Sequence, residues 1–277
     1  SQHIGAPCVP KVKPRQALAM GELIADSEVP VSAPIHASVT GVAGPATVTV
    51  LPNGRRSPAI PIVPAAEGAV PADFLERFLK PAVGSIDPAD YEPDQIRQAV
   101  RAAGIVGLGG AAFPTHIKLA SNPDRPVNEF ILNGAECEPY LTADHRLMLE
   151  ATEAVVVGFQ LAARAAGARR LIIAIEENKA DAIEAIRLVA APRGIEVAVC
   201  ATKYPMGGER QLIPAVLGKV VPSVPRIPLS IGVAVTNVAT AHAIARAVVE
   251  GAPLTHRVVT VSGGGVVRPG NWLTPFG

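Results

Sequence analysis

Phe130-Ile131-Leu132-Asn133-Gly134-Ala135-Glu136-Cys137-Glu138-Pro139 opens as a buried strand and breaks into small, amide and acidic residues. An apolar helical run follows from Thr142 to Ala166 with Gly167 as its stop, and Leu171-Ile172-Ile173-Ala174-Ile175 reads as the next strand. The alternation continues through a helix opened by Asn178, with Asp181 three residues on as in a loose capping box. A strand at Ile195–Val199, a helix at Arg210–Leu217, a strand at Ile231–Val235 and a helix at Ala239–Glu250 complete it. Strands joined by helices at this spacing need right-handed crossovers, so the fold class is α/β with a mostly parallel, Rossmann-like sheet.

Outward from this core the periodicity changes. Upstream, Pro93 to Ala103 reads as a short helix with Pro93 in its first turn and Gly104 beyond its end. Residues 1 to about 65 are rich in Pro, Val and Ala; Val29 to Gly41 alternates in part, and Val48-Thr49-Val50-Leu51 meets the turn signal Pro52-Asn53-Gly54. That stretch is predicted to be a small all-β module, tied to the rest by a Pro- and Ala-containing connector. Downstream, Arg257 to Val261 begins a new strand. Ser1 and Gly277 both look like cut ends, as in an excised fragment.

With 49% hydrophobic and 18% charged residues, 277 residues can bury a sizeable core. A formal net charge of +1, without a long basic run, argues against a nucleic-acid surface. Cys8, Cys137 and Cys200 lie far apart with no Cys-x-x-Cys pair, so neither a disulfide scaffold nor a self-contained metal or iron–sulfur site is expected. Pro7, Lys11, Lys13, Pro14 and Arg15 interrupt any signal peptide, and Glu153 and Arg164 interrupt the most apolar stretch. The expectation is a soluble intracellular chain able to sit against a membrane partner.

Gly107-Leu108-Gly109-Gly110-Ala111-Ala112-Phe113-Pro114-Thr115-His116-Ile117-Lys118 is the strongest chemical feature. Small residues in a row let backbone N–H groups approach a phosphate or a flat ring, and Lys118 can add a charge. The same residues also describe a tight turn between helices. A helical segment precedes the glycines, whereas the ordinary dinucleotide fingerprint needs a strand there. Asn133 to Pro139, Lys203-Tyr204-Pro205-Met206-Gly207-Gly208-Glu209 and Thr236-Asn237 each follow a strand, where parallel sheets bind ligands. Together these loops describe a pocket for a polar aromatic cofactor. His36, His116, His145, His242 and His256 are scattered, and no Ser/His/Asp or Cys/His set stands out.

Gly107 to Lys118, Asn133 to Pro139, Tyr204 to Glu209 and Thr236-Asn237 resemble the FMN-binding motifs shared by the 51 kDa flavoprotein of respiratory complex I and the RnfC protein of the Rnf complex. The spelling from Asn133 through to Arg146, with His3 to Pro7, Val31 to Ala37 and Pro269-Gly270-Asn271, is closer to RnfC. The resemblance implies a barrel-sandwich module at 1–70, a connector at 71–90, a Rossmann-like FMN/NADH domain at 91–254, and the start of an SLBB-like β-grasp domain at 255–277. It implies non-covalent FMN lined by Gly107, Gly109, Gly110, Lys118, Asn133, Glu136, Tyr204, Gly207, Gly208, Thr236 and Asn237. Phe113, Glu138 and Glu209 would face NADH.

The implied activity is flavin-mediated hydride exchange with NAD(H), with no catalytic side chain and no metal in this chain. It belongs to a ferredoxin:NAD oxidoreductase coupled to ion transport, held on the cytoplasmic face of the inner membrane by other Rnf subunits. Two 4Fe–4S clusters are expected only in an iron–sulfur region beyond Gly277. Ala112 stands where the family usually has glycine, and Ala135 and Gly208 replace carboxylates of the complex I version. The alternatives are a cobalamin-reductase-like flavoprotein and a non-enzymatic docking scaffold with a vestigial pocket.

Overall fold

A computed structural model describes residues 2–51, 54–84, 86–120, 125–225 and 227–277. Four strands make the central sheet: β9 (Glu129–Gly134), β10 (Arg170–Glu176), β11 (Glu196–Cys200) and β12 (Val233–Asn237). They are parallel and ordered β11-β10-β9-β12, as the alternation predicted. From β9 the chain winds outward through β10 to β11, then returns to place β12 on the other side of β9. The winding therefore reverses between β9 and β12, and the crevice at their C-terminal ends is where such sheets take ligands. Asn133 and Asn237 are register partners at that point.

Both sheet faces are covered, which is why the strands read as unbroken apolar runs. Phe130, Leu132, Ile173 and Ile175 point into one core with α5 (Thr152–Ala166) and α8 (Val238–Glu250). Ile131, Ala174, Val233 and Val235 point into another, closed by Leu212 and Ile213 of α7 (Glu209–Leu217). Burying each of the Val, Leu, Ile and Phe side chains among these favours folding by about 1.5–3 kcal/mol. α5 and α8 run against each other with Gly158 at the contact, where a Cβ would lie 1.9 Å from the Ala241 carbonyl oxygen. Gly167 ends α5 at φ 70°, as its place in the sequence predicted. α6 (Ala180–Ala190) adds Ala182, Ile183 and Ile186 to the first core.

The single helix predicted from Thr142 to Ala166 is two. α4 (Ala143–Glu150) ends at Ala151, whose φ of −132° and ψ of 32° are not helical, and α5 starts afresh at Thr152. The Thr152 hydroxyl donates to the Met148 carbonyl at 2.6 Å and supports the corner.

Upstream lie α2 (Pro93–Ala102) and the short α3 (Thr115–Lys118). The N-terminal module is built from short antiparallel pairings: β1 (Val9–Pro10), β3 (Leu23–Asp26) and β4 (Ile35–His36) in one layer, and β2 (Ala17–Leu18), β5 (Gly41–Ala43) and β8 (Ile62–Pro64) in another. β6 (Thr47–Val50) and β7 (Arg56–Ala59) form a separate hairpin; Pro52 and Asn53 of its predicted turn lie outside the described residues. Leu18, Ile24, Ala37 and Ala43 form the module's small core. Arg101 of α2 fastens it to the sheet domain by donating to Asp26 at 3.1 Å and to the Ser27 carbonyl at 2.8 Å. β13 (His256–Val261) is paired with β14 (Gly270–Pro275) as an antiparallel hairpin. Among the described residues, no helix is long and apolar enough to cross a membrane.

The connector is not featureless. It carries α1 (Phe74–Leu79), whose Phe74 and Phe78 are buried. Phe78 stacks at 4.6 Å from the His242 ring and Phe74 at 4.6 Å from the His256 ring, with the Arg246 guanidinium over both phenyl rings. Burial first, and then the Arg246 charge, push His242 and His256 down to about 4. Both imidazoles are therefore neutral in the fold and become cations on unfolding below the ordinary value of 6.5. Stability is fully present above pH 6.5 and is expected to fall steadily between pH 6.5 and 4, by about 3 kcal/mol for the fully buried His242. Urea titrations across that range check this, and a His242→Gln chain should show a shallower slope.

Candidate functional site

The glycine-rich segment is a closed loop between α2 and α3. Gly107 N–H donates to the Phe113 carbonyl at 2.9 Å and Ala112 N–H returns to the Gly107 carbonyl at 3.2 Å. Gly110, at φ 136°, takes a conformation that only glycine adopts readily. Ala112 sits at φ 51°, which explains why glycine suits this position; the alanine costs about 1–2 kcal/mol of backbone strain.

Remote segments pin the loop above the sheet. The Ala112 carbonyl accepts from Ile4 N–H at 3.1 Å, Leu108 N–H donates to the Thr240 hydroxyl at 2.9 Å, and Arg257 donates to the Leu108 carbonyl at 3.2 Å. This brings Gly109 against Asn237: a Cβ on Gly109 would lie 3.1 Å from the Asn237 Cβ. The Cβ direction of Gly110 has no atom within 4 Å, so bare main chain faces open space.

Asn237 is held by three bonds. Its Oδ1 caps α8 by accepting from Ala239 N–H at 2.9 Å and Thr240 N–H at 3.3 Å, while Nδ2 donates to the Asp144 carboxyl at 2.6 Å. Across the crevice Asn133 Nδ2 donates to the Gly207 carbonyl at 2.8 Å, and its Oδ1 accepts from Ala135 N–H at 3.1 Å. Gly207 packs so tightly that a Cβ would lie 2.3 Å from the Ala135 carbonyl oxygen. Lys118 Nζ donates to the Val235 carbonyl at 3.0 Å and pairs with Glu209 at 3.5 Å. Loops near residues 109, 136, 207 and 237 thus crowd one rim of the sheet.

Individual residues are used unequally. Both carboxylate oxygens of Glu136 are occupied in accepting from Asp144 N–H at 3.0 Å and His145 N–H at 3.2 Å at the start of α4, and its own N–H donates to the Gly134 carbonyl at 3.2 Å. Its carbonyl accepts from Lys179 at 3.4 Å, and Lys179 forms a buried ion pair with Glu176 at 2.8 Å. Thr236 is buried in β12, Gly107 and Phe113 are half-buried, and Gly208, Glu138 and Tyr204 are exposed on the outer side of the rim.

The sequence reading did not include Asp144, Lys179, Thr240 or Arg257. Asp144 is half-buried; desolvation first and the neighbouring Glu136 charge second raise its carboxyl to about 7, against the opposing pull of Asn237, Arg257 and the Ala239 N–H. Its place in the first turn of a helix makes an acid look like a surface residue favoured by the helix dipole, which hides it.

A bare, outward-facing main-chain segment and a rim of amide and carbonyl groups suit a flat polar ring with a phosphate arm. Comparisons agree in kind. Residues 100–246 match the Nuo51 FMN-binding domain and residues 1–67 the RnfC barrel sandwich hybrid domain. The C component of the Na(+)-translocating ferredoxin:NAD(+) oxidoreductase complex of Acetobacterium woodii is 43% identical over 270 residues, covering 97% of this chain and 59% of that protein. Its counterpart in the proton-translocating ferredoxin:NAD(+) oxidoreductase complex of Clostridium ljungdahlii is 40% identical, covering 100% of this chain and 58% of that one. The chain thus spans little more than half the length of these relatives. A chain of the NAD+-reducing [NiFe]-hydrogenase, in its H2-reduced state, superposes with a TM-score of 0.60 at 29% identity, covering 71% of this chain and 39% of that chain.

Proposed function

The chain belongs to the Nuo51 FMN-binding-domain family, in its RnfC branch, and on that premise we propose that it binds FMN and exchanges electrons with NAD(H). The observation that carries this is the seating of Gly109 against Asn237 at the crevice between β9 and β12. Gly107, Gly109, Gly110 and Lys118 would hold the ring edge and phosphate arm. Asn133, Glu136, Tyr204, Gly207, Gly208, Thr236 and Asn237 would form the rest of the cradle, with Phe113, Glu138 and Glu209 turned to the dinucleotide.

Bound there, FMN supplies a ring that takes hydride from a nicotinamide and passes electrons on singly. The chain's own residues do the positioning. The pinned loop would support the ring, Asn133 and Asn237 would bound its edge, and the exposed outer rim would leave access for the dinucleotide. We divide the chain at 1–70, 71–90, 91–254 and 255–277, the last piece being the start of a β-grasp unit. In a protein of the relatives' full length we place two 4Fe–4S clusters beyond residue 277. There the partners are the other subunits of a membrane-bound, ion-translocating complex on the cytoplasmic face, with ferredoxin reached indirectly.

Adding FMN to the purified chain should shift and sharpen the flavin absorption bands, and anaerobic NADH should bleach them. A chain that leaves the FMN spectrum and fluorescence unchanged would instead favour a docking scaffold.

A further inference from the structure

Asp144 is a costly residue in an unexpected place. Acids in a first helical turn ordinarily face water, where the helix dipole favours them. This one is turned inward, and the cap of α4 does not use it: Thr142 makes no side-chain cap bond, and Glu136 serves the Asp144 and His145 N–H groups. The side-chain bond it does make is to Asn237, the residue against which the glycine loop rests. A half-buried carboxyl whose side-chain partner is a crevice residue, at 2.6 Å, serves the crevice.

The groups facing it come from several elements. Glu136 approaches from the loop after β9, Asn237 from the end of β12, the Ala239 N–H from the start of α8 and Arg257 from β13. Arg257 gives Nη2 to the Leu108 carbonyl and leaves its buried Nε without a partner, so its charge helps Asp144 only through space. Glu136 has two backbone N–H donors to steady its charge, whereas Asp144 has the Asn237 amide and shares the Ala239 N–H with Asn237 Oδ1. When an anionic ligand enters, Asp144 is the carboxyl that gives way. Its bond to Asn237 survives, because a carboxylic acid still accepts through its carbonyl oxygen.

We propose that Asp144 is a positioning residue that fixes the Asn237 amide beneath the glycine loop and takes up one proton from water when the anionic flavin nucleotide binds. This rests on the FMN reading above. Part of the ligand charge would then be balanced inside the protein by a proton, beside whatever Lys118 contributes.

Titration calorimetry of FMN binding in buffers of different ionisation enthalpy counts the protons directly. Between pH 7 and 8 the chain should take up more protons than an Asp144→Asn chain, approaching one extra. Any proton belonging to the FMN phosphate is common to both and cancels. The dissociation constant of the unaltered chain should rise up to tenfold per pH unit in that range, while Asp144→Asn, which resembles the protonated acid, should be flat. Asp144→Ala, which loses the bond, should bind about tenfold more weakly than Asp144→Asn at every pH and be equally flat. Infrared spectra of the ligand-free chain should show a carboxyl titrating near neutrality that is missing from Asp144→Asn.

Equal proton uptake by the two chains would overturn the proposal even with FMN bound tightly. Failure of the unaltered chain to bind FMN at any pH would overturn the flavin reading, and the coupling with it. The uptake by the unaltered chain, maximal near pH 7–8 and vanishing near pH 5, stands as a test if Asp144→Asn does not fold.

Discussion

A Gly158→Ala chain is expected to fail to fold. The added methyl group would lie 1.9 Å from the Ala241 carbonyl oxygen, 2.7 Å from its carbon and 3.0 Å from the Ala245 nitrogen. Those are backbone atoms of α8, so no rotamer change relieves the clash; the two helices must part by more than 1 Å. Parting them opens the core around Val155, Phe159, Leu161 and Ile244, all fully buried. Overpacking ordinarily costs about 1–3 kcal/mol, and a clash of backbone with backbone at a main helix contact should exceed about 4 kcal/mol. That is a large part of the stability of an ordinary domain. Soluble yield and urea midpoints check it. Gly84→Ala is the matched control, because its methyl would meet nothing closer than a Glu153 carboxylate oxygen at 3.9 Å.

The second large effect belongs to the crevice. Gly207→Ala would place a methyl 2.3 Å from the Ala135 carbonyl oxygen and 3.1 Å from the Cys137 sulfur. The 203–209 loop must withdraw, breaking the Asn133–Gly207 bond that closes the far side of the crevice. If FMN sits there, its affinity should drop by about 30–100-fold, or roughly 2–3 kcal/mol. The thermal midpoint should move by only a few degrees, because the loop is at the surface and carries little of the core. At the neighbouring glycine the obstruction is milder, with the Pro205 carbonyl oxygen at 3.2 Å, so Gly208→Ala should weaken FMN several-fold less. Fluorescence quenching titrations rank the two. Equal affinity for Gly207→Ala and the unaltered chain would remove this loop from the binding site.

The sheet was legible because its strands are buried on both faces and therefore appear as isolated apolar runs between helices. The predicted runs fall on β9 to β12 within a residue or two. The corner at Ala151 was not legible: neither proline nor glycine marks it, and it exists because the chain must bend across the sheet end between α4 and α5. The helix Phe74–Leu79 was hidden among prolines and alanines, its two phenylalanines held by rings from α8 and β13 that lie far along the chain. Within the site, glycines and amides announced themselves because their chemistry is local. Asp144 and Arg257 did not, since a carboxyl becomes a site residue only when the fold turns it inward. Glu136 shows the converse: an acid that looks free to meet a ligand is occupied in capping a helix.

The threefold pinning of the glycine loop links parts of the chain that otherwise scarcely meet. Residue 4, the start of α8 and strand β13 each hold it by one bond. A molecule lodged on that loop is thereby stitched to the amino-terminal β module and to the carboxy-terminal hairpin together. By mass action, occupancy at a hundred times the dissociation constant would add about 2.7 kcal/mol against any opening that frees the loop. Fraying at either terminus would in turn loosen the grip on the guest, so the two ends of the polypeptide report on one another through whatever lies between them.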